Sequence, residues 1–273
     1  MPRRLIPLVV AVSVLAGTLG VAAHDFWLVP DAMAIGSAGE IVVRGQTSSA
    51  FPTSESAVAV DRITGAQVIG ATSEETITAR SIDGVSLLLR HRPSSPGQKV
   101  IGLSLAWRHV KETAESFRRY LVLEGAADAL ERFEQAGTLP TADIVRRYAK
   151  YAKTVVEVGA GPRAFDRAAG HPLEFVPLSD PGALREKSGF RIRIDFLGKP
   201  LANARIHAGR APTSGQKPTP DRELISSEAG VVTVPGGTPG LWNVRTIHVV
   251  PSPAGADANW DVHWASFVWR WPT

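Results

Sequence analysis

The sequence predicts a mostly β protein in which two β-sandwich-like parts are joined by a small helical insert. Short apolar alternations broken by Gly, Pro and Ser occur towards both ends of the chain, and a stretch rich in helix formers separates them. Removal of an apolar leader would leave 250 residues (273 minus 23), enough for one large domain or two ordinary ones.

The first element is that apolar leader. Two arginines near the start precede an almost unbroken run of apolar and small residues, with Val21 and Ala23 at the −3 and −1 positions of a cleavage site. This pattern predicts a secretory signal peptide over 1–23, whose removal would make His24 the first residue of an exported, periplasmic protein. An uncleaved anchor is the alternative, since the run of about 19 residues is close to the roughly 20 that span a bilayer.

The segment 24–110 predicts the N-terminal β part. Short apolar alternations occur in "GEIVVRGQTS", "SAVAVDR" and "GVSLLLRHRPSSPGQKVIGLSLAW", and turn-forming residues separate them.

The segment 111–160 predicts the helical insert. Helix formers dominate "ESFRRYLVLEGAADALERFEQAG" and "TADIVRRYAKYAKTVVEVG", and apolar residues of the second recur at helical spacing. On that second helix a basic run would put Arg146, Lys150 and Lys153 along one side, as a solvated face or a contact for a partner.

The segment 161–273 predicts a C-terminal β-sandwich of immunoglobulin-like or prealbumin-like type. Alternation returns in "GFRIRIDFLGKPLANARIHAG" and "EAGVVTVPGGTPGLWNVRTIHVV", and "ANWDVHWASFVWRW" closes the chain as a terminal strand.

Composition excludes several classes of site and partner. The chain has no cysteine, so disulfides, thiolate metal sites and a cysteine nucleophile are excluded, and any metal must be held by nitrogen and oxygen. Basic and acidic residues are nearly balanced and no basic stripe emerges, so nucleic acid is not an expected partner. No G-x-S-x-G, H-E-x-x-H or P-loop motif indicates an enzyme.

The terminal strand carries the first candidate metal ligands. Alternate residues of a strand share a face, so Asp261 and His263 point the same way. His24, if freed by cleavage, offers its α-amine and its ring, and the amine titrates with a reference pKa of only about 7.7 to 8.0. Such a nitrogen-rich set with one carboxylate suits copper, nickel or zinc.

Each candidate also has a structural interpretation. His263 lies among tryptophans and can be a hydrogen-bonded core histidine, and Asp261 can cap a turn. His248, on the preceding strand, is a further candidate ligand that shares a face with Trp242, so burial beside that ring is its alternative.

Several segments together resemble an exported bacterial family known only as a domain of unknown function, whose members are often labelled as accessory proteins of nickel or cobalt uptake. They are "AHDFWLVP", "RRYAKYAKTVVEVG", "GHPLEFVPLSDP", "FLGKPLANARI", "PGLWNVRTIHVV" and "WDVHWASFVW". The resemblance implies a periplasmic protein with β-sandwich parts, acting near transition-metal handling beside a membrane transporter. The pattern of His24, Asp261 and His263 is also similar to that of periplasmic copper carriers.

These observations predict a periplasmic protein that binds nickel, cobalt or copper and carries or buffers the ion for uptake, without catalysing turnover. Two alternatives stay open. One is a copper-dependent oxidase that uses an amino-terminal histidine, and the other is a metal-free β-sandwich module that binds a saccharide or a partner.

Overall fold

The computed structural model describes residues 24–213 and 219–272, so the signal peptide predicted over 1–23 lies outside the described residues. Strands account for 49% and helices for 10%, which confirms the mostly β prediction. The strands are β1 (Asp25–Pro30), β2 (Ala34–Ile35), β3 (Ile41–Ser48), β4 (Ile63–Ile69), β5 (Glu74–Thr76), β6 (Ala79–Asp83), β7 (Ser86–His91), β8 (Gly97–Leu105), β9 (Arg108–Thr113), β10 (Asp143–Val158), β11 (Leu173–Pro177), β12 (Phe190–Phe196), β13 (Lys199–Pro200), β14 (Arg205–Arg210), β15 (Arg222–Ile225), β16 (Val231–Val234), β17 (Gly240–Pro251) and β18 (Trp260–Trp271). The helices are α1 (Ala114–Leu123) and α2 (Ala127–Gln135), with 3-10 turns at Val60–Arg62 and Pro181–Ala183.

Three sheets build the described part of the chain. The central sheet runs β15-β14-β17-β18-β10-β8-β4-β5, with β2 and β9 also paired to β10. The N-terminal sheet has the order β1-β3-β7-β6, and the C-terminal sheet has the order β11-β12-β13, with β16 paired to β12. Because both smaller sheets pack on the central one, the two sandwich-like parts share a sheet and are not separate bodies.

The central sheet has two faces with different cover, and alternation along β10 and β18 assigns each residue to one of them. The C-face carries Tyr151 and Phe267 and packs against the C-terminal sheet. The N-face carries Ala152, which packs against the N-terminal sheet, and Trp264, which packs against α1 and α2. Each side is thus named for the smaller sheet, C-terminal or N-terminal, that packs on it.

The helix predicted in the second half of 111–160 is wrong. That sequence forms β10, which pairs in parallel with β18 and antiparallel with β8 and β9. Most of β10 is buried on both sides, so apolar residues occur without strict alternation and imitate helical spacing. The helical insert is therefore limited to α1 and α2.

Local signals explain the ends of α1. The side chain of Thr113 accepts a hydrogen bond from the backbone amide of Ser116, which is an N-cap. Gly125 follows the helix with a φ of 67°, a conformation that glycine adopts without strain. The two helices then cover Trp260, Val262 and Trp264 on the N-face of β18.

Candidate functional site

Asp261 and His263 share the C-face of β18, as alternation predicted, but the carboxylate of Asp261 is already engaged. Arg147 donates two hydrogen bonds to this carboxylate, from Nε to Oδ1 at 2.7 Å and from Nη2 to Oδ2 at 3.0 Å. The hydroxyl of Ser252 donates to the same carboxylate. Burial opposes ionisation of Asp261, yet these contacts outweigh it and hold its pKa below the usual range. Metal binding by this carboxylate would require the Arg147 contact to break.

His263 lies in an aromatic enclosure. Its Nδ1 is 3.3 Å from the hydroxyl of Tyr151, and the rings of Trp107 and Phe196 meet its ring edge-on at centroid distances of 5.2 and 5.1 Å. Burial lowers the pKa of His263 to about 4. The imidazole is therefore neutral at neutral pH.

His248 is the cross-strand partner of His263 in the β17–β18 pair. The ring of Phe196 lies 4.4 Å from the ring of His248, so one phenyl group covers both imidazoles. Burial also lowers the pKa of His248. Two of the four candidate ligands thus come together, both on the C-face and both in the neutral form.

His24 lies on the other side of the sheet. Its carbonyl oxygen accepts a hydrogen bond from the ammonium of Lys150, which is on the N-face of β10, and its Nε2 is 3.0 Å from Oε2 of Glu55. The sheet therefore separates His24 from Asp261 and His263. Within 24–213 and 219–272, no group of three or more His, Asp and Glu side chains is placed to hold a metal ion. The set proposed from sequence is split into an imidazole pair on one face and a lone histidine on the other.

The basic run on β10 divides between the faces in the same way. Arg146 and Lys150 lie on the N-face, where they line a cavity of about 540 Å³ that His24 also lines. Lys153 lies on the C-face, buried in an ion pair with Glu174. The expected common side for the three was a consequence of the helix prediction and is corrected with it.

Sequence reasoning missed two other cationic residues of that cavity, Arg62 and Arg108. Neither is near the basic run in sequence, and they reach the cavity because β9 pairs with β10 while the turn Val60–Arg62 leads into β4. Identifying Arg62 and Arg108 would have required knowledge of the strand pairing, which the sequence pattern does not give.

Comparison with known families identifies the chain at the level of a family. The family described as "Domain of unknown function (DUF4198)" matches residues 21–250. The chain belongs to this family. The match agrees with the family resemblance seen in the sequence, and the family description names no activity, ligand or metal for DUF4198 members.

Other comparisons add no functional information to the DUF4198 assignment. None of the curated proteins gives a significant match. Among solved structures, the chain is similar to the D0-D1 domain of Intimin, with 12% identity, a TM-score of 0.20 and coverage of 90% of this chain and 97% of that one. It is also similar to Escherichia coli alpha-2-macroglobulin activated by porcine elastase, with 10% identity, a TM-score of 0.24 and coverage of 92% and 20%. TM-scores this low support no conclusion.

Among the helices of the described ranges, neither is long and apolar enough to cross a membrane.

Proposed function

We propose that this protein is an exported, periplasmic metal-binding protein that carries or buffers nickel, cobalt or copper, and that His248 and His263 supply its first two ligands. The observation that supports the proposal is the pairing of these two imidazoles across β17 and β18 under one phenyl ring. Imidazole nitrogen is a suitable ligand for nickel and copper.

The protonation state of the pair favours this role. A histidine must be neutral to coordinate a metal, and protonation competes with the ion. Because burial lowers the pKa of both His248 and His263, neither has to release a proton at neutral pH. The hydroxyl of Tyr151, beside Nδ1 of His263, leaves Nε2 as the nitrogen available for coordination.

Access and charge also support the pair. His248 lines a cleft between the start of α2 and the segment 201–205, so an ion can approach the His248 imidazole from solvent. Asp128 lies in the wall of that cleft, and its negative charge favours a cation beside His248. Asp261 is not required, since Arg147 already satisfies its carboxylate.

The cellular role is proposed on the sequence alone. The leader over 1–23 supports export, and the absence of cysteine leaves nitrogen and oxygen as the ligands for a divalent ion. We propose a membrane transporter for metal uptake as the partner that receives the ion.

The test is metal titration of tag-free protein with nickel, cobalt and copper in competition with a chromophoric chelator. We expect His248→Gln and His263→Gln each to weaken binding at least tenfold, equivalent to about 1.4 kcal/mol. His109→Gln is the matched control, since the ring of His109 is exposed and pairs with the exposed carboxylate of Asp257. Equal affinity in all three variants and the parent, or no binding by the parent, would overturn the proposal. Recovery of the protein from a periplasmic fraction tests its location, and elemental analysis of that material identifies the bound metal.

A further inference from the structure

The N-face of the central sheet encloses a cavity that plays no part in the proposed metal site. The cavity has a volume of about 540 Å³ and lies between β3, the segment 56–62, β8, β9 and β10. It is on the opposite side of the sheet from His248 and His263. A function for this cavity is therefore independent of the imidazole pair.

The lining of the cavity is strongly cationic. Four basic side chains line it, from Arg62, Arg108, Arg146 and Lys150, against the single carboxylate of Asp61. Arg146 is neutralised by an ion pair with Glu112. Within 24–213 and 219–272, the other three make no ion pair closer than 4.0 Å, and their hydrogen bonds go to backbone carbonyls, from Arg62 to Ala106 and from Lys150 to His24.

Two polar atoms at the wall are buried without a hydrogen-bond partner in the described part of the protein. They are Nε of Arg62 and Oγ1 of Thr47. A buried polar group without a partner typically costs about 1–3 kcal/mol, so native proteins rarely leave one unsatisfied unless it serves a ligand or water. Both residues line the cavity, although these two atoms are themselves covered by protein.

The cations are also close enough to disfavour one another. Burial lowers the pKa of Lys150 to about 8; Asp25 opposes this, while Arg62 and Arg108 add to it. Burial lowers the pKa of Arg62 as well, and Arg108 contributes in the same direction. A negatively charged occupant would offset this repulsion and replace some of the lost hydration.

The remaining wall is apolar, with Val58, Leu105 and Val110 beside the ring of Tyr148. A single water occupies roughly 30 Å³ of liquid, so a space of this size is far too large for an inorganic oxyanion alone. Pockets of roughly 300–1,000 Å³ lined by apolar groups and a few polar ones are typical of sites for small organic molecules.

We propose that this cavity is a binding site for a small organic anion, in which Arg62 and Arg108 hold a carboxylate or other oxyanion and the apolar wall holds the body of the molecule. Arginine suits this role because its planar guanidinium can donate two parallel hydrogen bonds to one oxyanion. Lys150 also lines the cavity and adds a positive charge while its ammonium donates to the His24 carbonyl.

The experiment uses 8-anilinonaphthalene-1-sulfonate, an aromatic anion whose fluorescence rises on binding, with citrate and inorganic phosphate as competitors. We expect saturable binding by the parent protein and at least tenfold weaker binding by Arg62→Gln/Arg108→Gln. Arg92→Gln/Arg222→Gln removes the same charge from exposed positions outside the cavity and should stay within twofold of the parent. Arg108→Gln alone serves if the first variant unfolds, since Arg108 is exposed and should weaken binding by itself.

The outcomes separate the proposal from its rivals. Equal affinity in the cavity and control variants, or no saturable binding by the parent, would show that the cations do not hold an anion. Displacement of the dye by phosphate as effectively as by citrate would overturn the assignment to an organic anion. None of these results depends on metal, so failure here leaves the proposed metal site untouched, and the reverse is also true.

Discussion

The two faces of the central sheet differ in charge, although the same strands build both. On the C-face, His263, His248 and His171 are held neutral among aromatic rings, and the ions Lys153 and Asp261 are tightly paired. On the N-face, Arg62, Arg108 and Lys150 leave positive charge facing a cavity.

A shift of one residue along a strand moves a side chain to the other face of the sheet. Lys150 and Tyr151 are neighbours in sequence, yet one binds the carbonyl of His24 and the other lies beside His263. Candidate ligands that were chosen from the sequence for their chemistry can therefore lie on opposite faces of one sheet.

The largest effect is expected from the buried ion pair of the C-face. The side chains of Lys153 and Glu174 are 1% and 5% exposed, so Lys153→Met leaves a buried carboxylate without its charge partner. We expect a loss of about 3 to 5 kcal/mol in the free energy of unfolding, measured by urea denaturation. Lys111→Met is the control, because its pair with Asp143 is exposed and should contribute less than about 1 kcal/mol. Similar losses in both variants would contradict the buried pairing.

The neutral histidines of the C-face predict a loss of stability in acid. Burial lowers the pKa of His171 and of His263 to about 4, whereas both titrate near 6.5 when unfolded. Between those values the unfolded state binds more protons, so the free energy of unfolding should fall as pH falls from about 6.5 to 4. Each histidine should contribute on the order of 2 kcal/mol. Urea denaturation of His263→Gln across this range should show a shallower slope than the parent, and an unchanged slope would refute the assignment.

A carboxyl group on the N-face predicts the opposite dependence of the free energy of unfolding on pH. Burial raises the pKa of Glu124 to about 7 from an ordinary value of 4.5, and the charge of Asp25 adds to the effect. The folded state then binds more protons between those values, so this group destabilises the protein as pH rises through them. We expect Glu124→Gln to gain on the order of 1 to 2 kcal/mol over the parent at pH 8 relative to pH 4. Thermal denaturation at the two pH values measures this, and an equal difference at both would contradict it.

The smallest effect concerns His24. One glycine inserted between Ala23 and His24 converts the α-amine of a cleaved chain into an amide, which is a much poorer ligand. Because the sheet separates His24 from the imidazole pair, nickel and copper affinity at His248 and His263 should change by less than twofold. A sharp fall on insertion would show instead that His24 holds the metal, in a separate site beside Glu55.

The parts of the fold that depend on local pattern could be predicted from sequence. The β-rich ends, the helical stretch that became α1 and α2, and the alternation along β18 all follow from periodicity and turn residues. The strand β10 could not be predicted, because a strand buried on both faces lacks the alternation that distinguishes it from a helix.

The candidate site could also be predicted only as far as local spacing allows. That Asp261 and His263 share a face follows from their spacing alone. Their relation to His248 depends on the register of β17 against β18, and the separation of His24 depends on which face β1 covers. The role of Arg147 as the partner of Asp261 depends on the parallel pairing of β10 with β18. Pairing between strands that are distant in sequence cannot be predicted from the residues of either strand alone.

The most direct test of the account observes all seven histidines at once. Long-range ¹H–¹⁵N spectra of protein labelled at the histidine rings, assigned with single His→Gln variants, follow each imidazole as nickel is added below stoichiometry. The account predicts that the ring signals of His248 and His263 broaden first and together, while that of His24 persists. Broadening of His24 first, or of all seven rings in parallel, would contradict it.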